Sequence, residues 1–160
     1  MPVLIDGYNL YHFAKSVYQE DRIELSVSAF CQIIDEWSLR SRQKVRMVFD
    51  GGVPPALRQN ATHFGSIDLE FTGPKSDADT VIETHMLKST APKLLTVVSS
   101  DHRIRKTAKR RHCKVVTSDE FWVKVAKKLT AKRVKPEPRE KSSGIPAYER
   151  EYWLKIFGLK

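Results

Sequence analysis

Val3-Leu4-Ile5-Asp6-Gly7-Tyr8-Asn9 sets three aliphatic residues ahead of a carboxylate, a glycine and an asparagine. A short apolar run that stops at turn-forming residues reads as a buried strand. Four more runs share this form, at 45–49, 67–71, 94–98 and 114–116. Segments of helical period separate them, which predicts helices at about 25–41, 77–89, 102–112 and 119–130 and a shorter one after Tyr8. In the first of these, Ile23, Val27, Phe30, Ile34, Trp37 and Leu39 mark the face expected against a sheet. Ser76 and Ser118 are the expected N-caps of the helices that follow them. Strands alternating with helices call for βα units around a parallel sheet, hence an α/β fold.

Composition sets the limits of this fold. With 160 residues, 41% of them hydrophobic, the chain can bury roughly 70% of its unfolded surface without a disulfide or a structural metal. Cys31 and Cys113 lie among apolar neighbours with no paired spacing and are expected as reduced core thiols. No run approaches the ~20 apolar residues of a membrane helix, and the opening segment lacks the basic and apolar regions of a secretory leader. The expected location is therefore cytoplasmic. From about 132 to 147 the composition turns to Lys, Arg, Pro, Glu, Ser and Gly, as in a solvated linker. Tyr148, Tyr152, Trp153, Ile156 and Phe157 then form a helical aromatic stripe. The expected organisation is a domain over 1–131, a basic linker over 132–147 and an amphipathic aromatic helix within 148–160, docked on its own domain or on a partner.

The net charge of +9 is unevenly placed. Residues 1–90 carry 9 basic and 12 acidic side chains, whereas residues 91–160 carry 19 and 7. Such asymmetry implies a polyanionic partner, most simply nucleic acid, with an anionic membrane surface as the weaker option.

The acids recur at one kind of position. Asp6 follows the first strand, Asp50 the second and Asp101 the fourth, while Asp77 and Asp79 open the helix at 77–89. Loops at the carboxyl ends of parallel strands form the ligand site of open α/β sheets. Any one of these Asp residues could be a turn former or a cap, and Asp77 a first-turn charge. Their combination is different. Two carboxylates about 4 Å apart repel by roughly 4 kcal/mol at an effective dielectric near 20, so a cluster favours proton uptake or a bound cation. Mg²⁺ or Mn²⁺, which prefer oxygen ligands, would answer that need. With a phosphodiester present, such an ion activates water and neutralises the leaving oxygen.

Ile5-Asp6-Gly7-Tyr8-Asn9, Val48-Phe49-Asp50-Gly51, Asp77-Ala78-Asp79-Thr80-Val81-Ile82-Glu83 and Ser99-Ser100-Asp101 together resemble the NYN domains of the PIN-like nuclease superfamily, in particular the YacP-like ribonucleases. The resemblance spans about residues 1–130 and rests on the order and spacing of the four motifs. It implies a three-layer sandwich with a five-stranded parallel sheet and metal-dependent endonucleolytic cleavage of RNA, leaving 5′-phosphate and 3′-hydroxyl ends. By that match Asp6, Asp79 and Asp101 take the core metal positions, Asn9 orients a ligand or the first loop, and Asp50 supports the metal directly or through water. Asp77 joins the candidate set from its place beside Asp79. Glu83, one turn later, either faces the site or solubilises its helix.

No GxGxxG follows the first strand and no GxxxxGK[ST] is present, so dinucleotide and P-loop sites are not expected. His102 adjoins a candidate ligand but reads as an exposed first-turn residue. Beyond Asp101, Ile104 and Ala108 define a narrow buried face, with Arg103, Arg105, Lys106, Lys109 and Arg110 directed outward as candidate RNA-phosphate contacts. Lys124, Lys127, Lys128, Lys132, Arg133 and Lys135 extend the positive field downstream. Tyr8, Tyr11 and Phe13 either stack on unpaired bases or pack in the core. The leading expectation is a Mg²⁺- or Mn²⁺-dependent endoribonuclease acting on RNA, with ribosome-associated RNA as one setting. The alternative is a non-catalytic RNA-binding or ribosome-associated module of the same fold. A DNA nuclease would need a duplex clamp, and no helix-hairpin-helix segment is evident.

Overall fold

The computed structural model describes residues 2–131 together with 156 and 157. Strands β1 (Val3–Asp6), β2 (Val45–Phe49), β3 (His63–Phe64), β4 (Ile67–Phe71), β5 (Thr96–Val98) and β6 (Lys114–Val116) form one sheet in the order β3-β4-β2-β1-β5-β6. Helices α1 (Gly7–Glu20), α2 (Val27–Ser41), α3 (Ala78–Lys88), α4 (His102–Arg110) and α5 (Ser118–Thr130) cover its two faces. The expected five strands are present and mutually parallel. β3 is an addition to the expected sheet: it pairs antiparallel with β4 across the positive-φ turn at Gly65, and two residues were too short a run to register in the sequence.

Alternation of side chains along the strands builds two cores. Val3, Ile5, Val45, Met47, Phe49 and Val98 pack beneath α1, α2 and α5, with Phe30, Ile34, Trp37 and Trp122 above them. Leu4, Val48 and Val97 face the other way, onto Ile82 and Met86 of α3 and Ile104 and Ala108 of α4. Both cysteines are free and buried, and desolvation pushes the Cys31 thiol up to about 12, so it stays protonated. Phe157 is buried against Trp122 with ring centroids 5.5 Å apart, which seats at least this end of the aromatic stripe on its own domain. The expected linker at 132–147 and the rest of the tail helix lie outside the described residues.

Several local expectations are corrected. The helix after Tyr8 is not short: α1 runs for 14 residues, because the turn-prone Gly7 and Asn9 lie inside its first turn. Ser76 does not cap α3; Asp77 does, accepting from the Thr80 amide at 2.7 Å. Thr117 rather than Ser118 caps α5, through a capping box with Glu120. Leu39 and Ile23 are exposed. Leu39 follows Trp37 by two positions, about 200° around the helix, while Ile23 precedes α2 and yields its place to Leu25. The strand expected at 94–98 begins only at Thr96, since Pro92–Leu94 form a 3-10 turn.

Gly7 brings α1 close to the sheet. A Cβ at this position would lie 2.6 Å from ring atoms of Phe49, a fully buried residue. Replacing Gly7 by Ala should therefore cost about 1–3 kcal/mol, the usual range for overpacking, measured by urea unfolding. An unchanged unfolding midpoint would show that the Phe49 ring moves aside freely.

Candidate active site

From β1 the chain proceeds to β2 and β4 on one side, then returns to β5 and β6 on the other. The strand order thus reverses at β1 and β5, and the crevice at their carboxyl ends is where an open α/β sheet accepts a ligand. Asp6 ends β1 there, and Ser99, Ser100 and Asp101 follow β5.

Asp6 is the most enclosed of the acids, at 7% exposure. Burial raises its pKa to about 6, opposed by the Ser99 hydroxyl and the Asn9 backbone N–H and reinforced by the nearby Asp79 and Asp101 carboxylates. Ser99 Oγ donates to Asp6 Oδ2 at 3.1 Å and accepts from the Asp101 amide at 3.0 Å, so one hydroxyl spaces two of the acids. Asp101 caps α4 with Oδ1, accepting from the Arg103 and Ile104 amides at 2.9 and 3.2 Å; Oδ2 takes no part in that cap. Asp79, in the first turn of α3, also has its pKa raised, by desolvation first and by Asp101 second, against the pull of Arg103. Asp6, Asp79 and Asp101 are accordingly brought into one electrostatic neighbourhood.

The other candidates have structural duties. Asp50 accepts from the Ala78 amide at 3.2 Å and so sets where α3 begins, one residue ahead of Asp79. Asp77 caps the same helix, and that hydrogen bond lowers its pKa. Asn9 Oδ1 accepts from the Ser100 amide at 2.9 Å and from Ser118 Oγ at 2.6 Å, joining α1 to the loop after β5 and to the start of α5. Ser100 Oγ in turn accepts from the Ser118 amide at 3.0 Å. Ser99 and Ser118 were missed as site residues in the sequence. Their signal was faint: each is a small hydroxyl at the end of a strand or the start of a helix, a common turn residue that becomes informative only once Asp6 and Asn9 are seen beside it.

Arg103 does not simply point outward. Its guanidinium is held by Glu83 and lies 3.9 Å from Asp79 Oδ2. Arg105 is half-buried, with its Nε enclosed. Lys106, Lys109 and Arg110 are exposed along α4, as is His102. Lys124, Lys127 and Lys128 are exposed on α5, which packs on the opposite face of the sheet from α4, so they do not prolong the α4 stripe within one layer. Tyr8 packs edge-on against Phe49 at 4.9 Å, and Tyr11 is buried with its hydroxyl on the Leu25 carbonyl at 2.7 Å.

Whether the acids suit a divalent ion can be tested on their chemistry. The donors are all carboxylate oxygens, partly dehydrated and mutually repelling, which fits a hard cation such as Mg²⁺ or Mn²⁺. Among the described residues no three His, Cys, Asp or Glu side chains stand close enough to form a ready-made metal-binding group. Like charges resist approach to coordination distance without a cation between them.

A parallel sheet with helices on both faces and acids gathered at its switch point defines a PIN-like α/β fold. A family model for the YacP-like NYN domain matches residues 3–152, and the chain belongs to that family. This membership supports an RNA-related function of the nuclease type. Two solved structures are similar, both of Rae1 (YacP) from Bacillus subtilis. One, a tryptophan-to-leucine variant, is 18% identical with a TM-score of 0.60, covering 79% of this chain and 76% of that chain. The other is 20% identical with a TM-score of 0.59, covering 80% and 75%. No curated protein matches the sequence. Among the described residues no helix is long and apolar enough to cross a membrane.

The buried Asp6 makes a pH prediction for the metal-free protein. Its folded pKa of about 6 lies above the ordinary 3.8, so the folded state holds the proton more tightly than the unfolded chain. The associated stability is full below about pH 4 and is lost as pH rises through about 6, by an amount of order 3 kcal/mol. In EDTA, the stability of Asp6→Asn relative to the parent should therefore rise across that window. A difference independent of pH between 4 and 7.5, measured by urea unfolding, would show that Asp6 carries no such burden.

Proposed function

We propose that this protein is a divalent-metal-dependent endoribonuclease. The observation that carries the reading is the coupling of Asp6, Asp79 and Asp101 at the switch point of the sheet, with a basic helix starting at Asp101. In this reading those three acids would hold Mg²⁺ or Mn²⁺, which when bound supplies an activated water for attack on phosphorus and neutralises charge at the leaving 3′-oxygen. Asp50 and Asp77 support the set by fixing the first turn of α3, and with it the position of Asp79. Asn9 holds the loop that presents Asp101. Arg103, Lys106, Lys109 and Arg110, with the half-buried Arg105 behind them, offer positive charge along α4 for the RNA backbone. Such contacts give affinity and salt dependence without choosing a sequence. RNA is the proposed substrate, met free or on the ribosome, and the two free thiols suit a cytoplasmic setting.

The test compares the protein with Asp79→Asn on single-stranded and structured RNA in Mg²⁺, Mn²⁺ or EDTA. Cleavage should require the metal and fall by about a hundredfold or more in the variant, the scale of losing a preorganised electrostatic group at a reacting centre. Equal cleavage by both proteins, or cleavage undiminished by EDTA, would refute the metal-nuclease reading. RNA binding without cleavage under every condition would instead establish the non-catalytic module.

A further inference from the structure

Asp79 and Glu83 stand one turn apart on α3, as do Arg103 and Thr107 on α4, and the two helices pack side by side. Residues four apart share a helix face, so the two pairs confront each other. Arg103 Nε donates to Glu83 Oε2 at 3.2 Å and Nη2 to Glu83 Oε1 at 2.8 Å, a bidentate side-on grip. Thr107 Oγ1 donates to Glu83 Oε2 at 2.9 Å and so adds a second hold on the oxygen that Arg103 Nε engages. An arginine has five N–H donors in a fixed plane. The grip engages one on Nε and one on Nη2, while Nη1 comes within 3.9 Å of Asp79 Oδ2, inside ion-pair range but beyond a hydrogen bond. The charge of Arg103 is thereby fixed at the edge of the acid neighbourhood, with its Nη1 donors on that side.

We propose that Glu83 is a positioning residue, which with Thr107 clamps Arg103 so that its remaining donors receive a non-bridging oxygen of the RNA phosphate undergoing cleavage. The inference rests on the nuclease reading above and adds to it a division of labour along α4: Arg103 serves the reacting phosphate, while Lys106, Lys109 and Arg110 serve the flanking backbone. Clamping matters because an unheld arginine has many rotamers and must be ordered on every turnover, whereas a bidentate, planar pair is preorganised. The benefit should therefore fall on the chemical step more than on binding.

The experiment is a double-mutant cycle on RNA cleavage in Mn²⁺ with the parent, Glu83→Gln, Arg103→Ala and the double variant. Gln at 83 replaces one acceptor oxygen with an amide donor facing a donor, so the bidentate grip is lost. Each single variant should lose about tenfold in kcat with KM within about twofold, and the double variant should be no worse than Arg103→Ala. Losses that multiply in the double variant would overturn the proposal, because Glu83 would then act without Arg103. So would a fivefold or larger rise in the Mn²⁺ concentration for half-activity in Glu83→Gln, which would make Glu83 a ligand. Should the Glu83 variants melt far below the parent, Thr107→Val, which leaves the ion pair in place, decides: a two- to threefold kcat loss supports the clamp and parent-like kcat overturns it. A parent protein inert on RNA would refute the nuclease reading itself and the inference with it, and this is seen before any variant is compared.

Discussion

A carboxylate stripped of most of its water at the end of the central strand is the constraint around which this rim is organised. Asp6 cannot retreat, because the strand that carries it is hydrogen-bonded on both sides, to β2 and to β5. Two further acids lie near enough to worsen its position. The compensation comes from small hydroxyls and amides: Ser99 bonds the carboxylate, and α1 begins beside it. Asn9, Ser100 and Ser118 then lock the surrounding loops, so the arrangement persists although its charges oppose it. Buried groups of this kind are costly unless paired, and an arrangement that works against stability is more simply explained by chemistry than by folding.

Much of the architecture was legible in the sequence because strand burial writes itself as short apolar runs. The five parallel strands, four long helices and the placing of Asp6, Asp79 and Asp101 at one rim needed only periodicity and the rule for parallel sheets. Failures came where a local signal competed with a tertiary one. Gly7 and Asn9 look like turn residues, yet Gly7 is required by the nearness of Phe49 and Asn9 by two bonds to distant segments. Ser76 and Ser118 look like caps, but Asp77 and Thr117 hold those places. Contacts such as Asn9 to Ser118, more than a hundred residues apart, leave no trace in local pattern.

The charge asymmetry of the chain also changes meaning in three dimensions. In sequence the basic residues fall in two groups, Arg103–Lys114 and Lys124–Lys128, and the sheet sets them apart. α4, which starts at Asp101, carries Lys106, Lys109 and Arg110 away from the acids along its exposed face, while α5 carries Lys124, Lys127 and Lys128 in the other helical layer. A polyanion following the α4 side passes the switch point of the sheet. One on the outer surface of α5 would lie behind a layer of protein, so the two runs are not equivalent as RNA contacts even though their charge is the same.

An arginine beside carboxylates proposed to hold a cation must be kept from taking the cation's place. An arginine free to move would close on Asp79 and Asp101, since attraction between opposite charges grows as the separation shrinks and is strongest where water is scarce. Glu83 prevents this by offering the better partner: it sits one turn further along α3, is itself more exposed to solvent than the buried Asp6, and takes two donors at once. Its own pKa is lowered by that bond, so it remains charged over the working range and does not release its partner by protonation. Held in this way, Arg103 is 3.9 Å from Asp79 rather than in hydrogen-bond contact. That distance leaves the Asp79 carboxylate available and keeps a positive charge beside it, so that in the proposed reading one short helix borders both the cation and the phosphate.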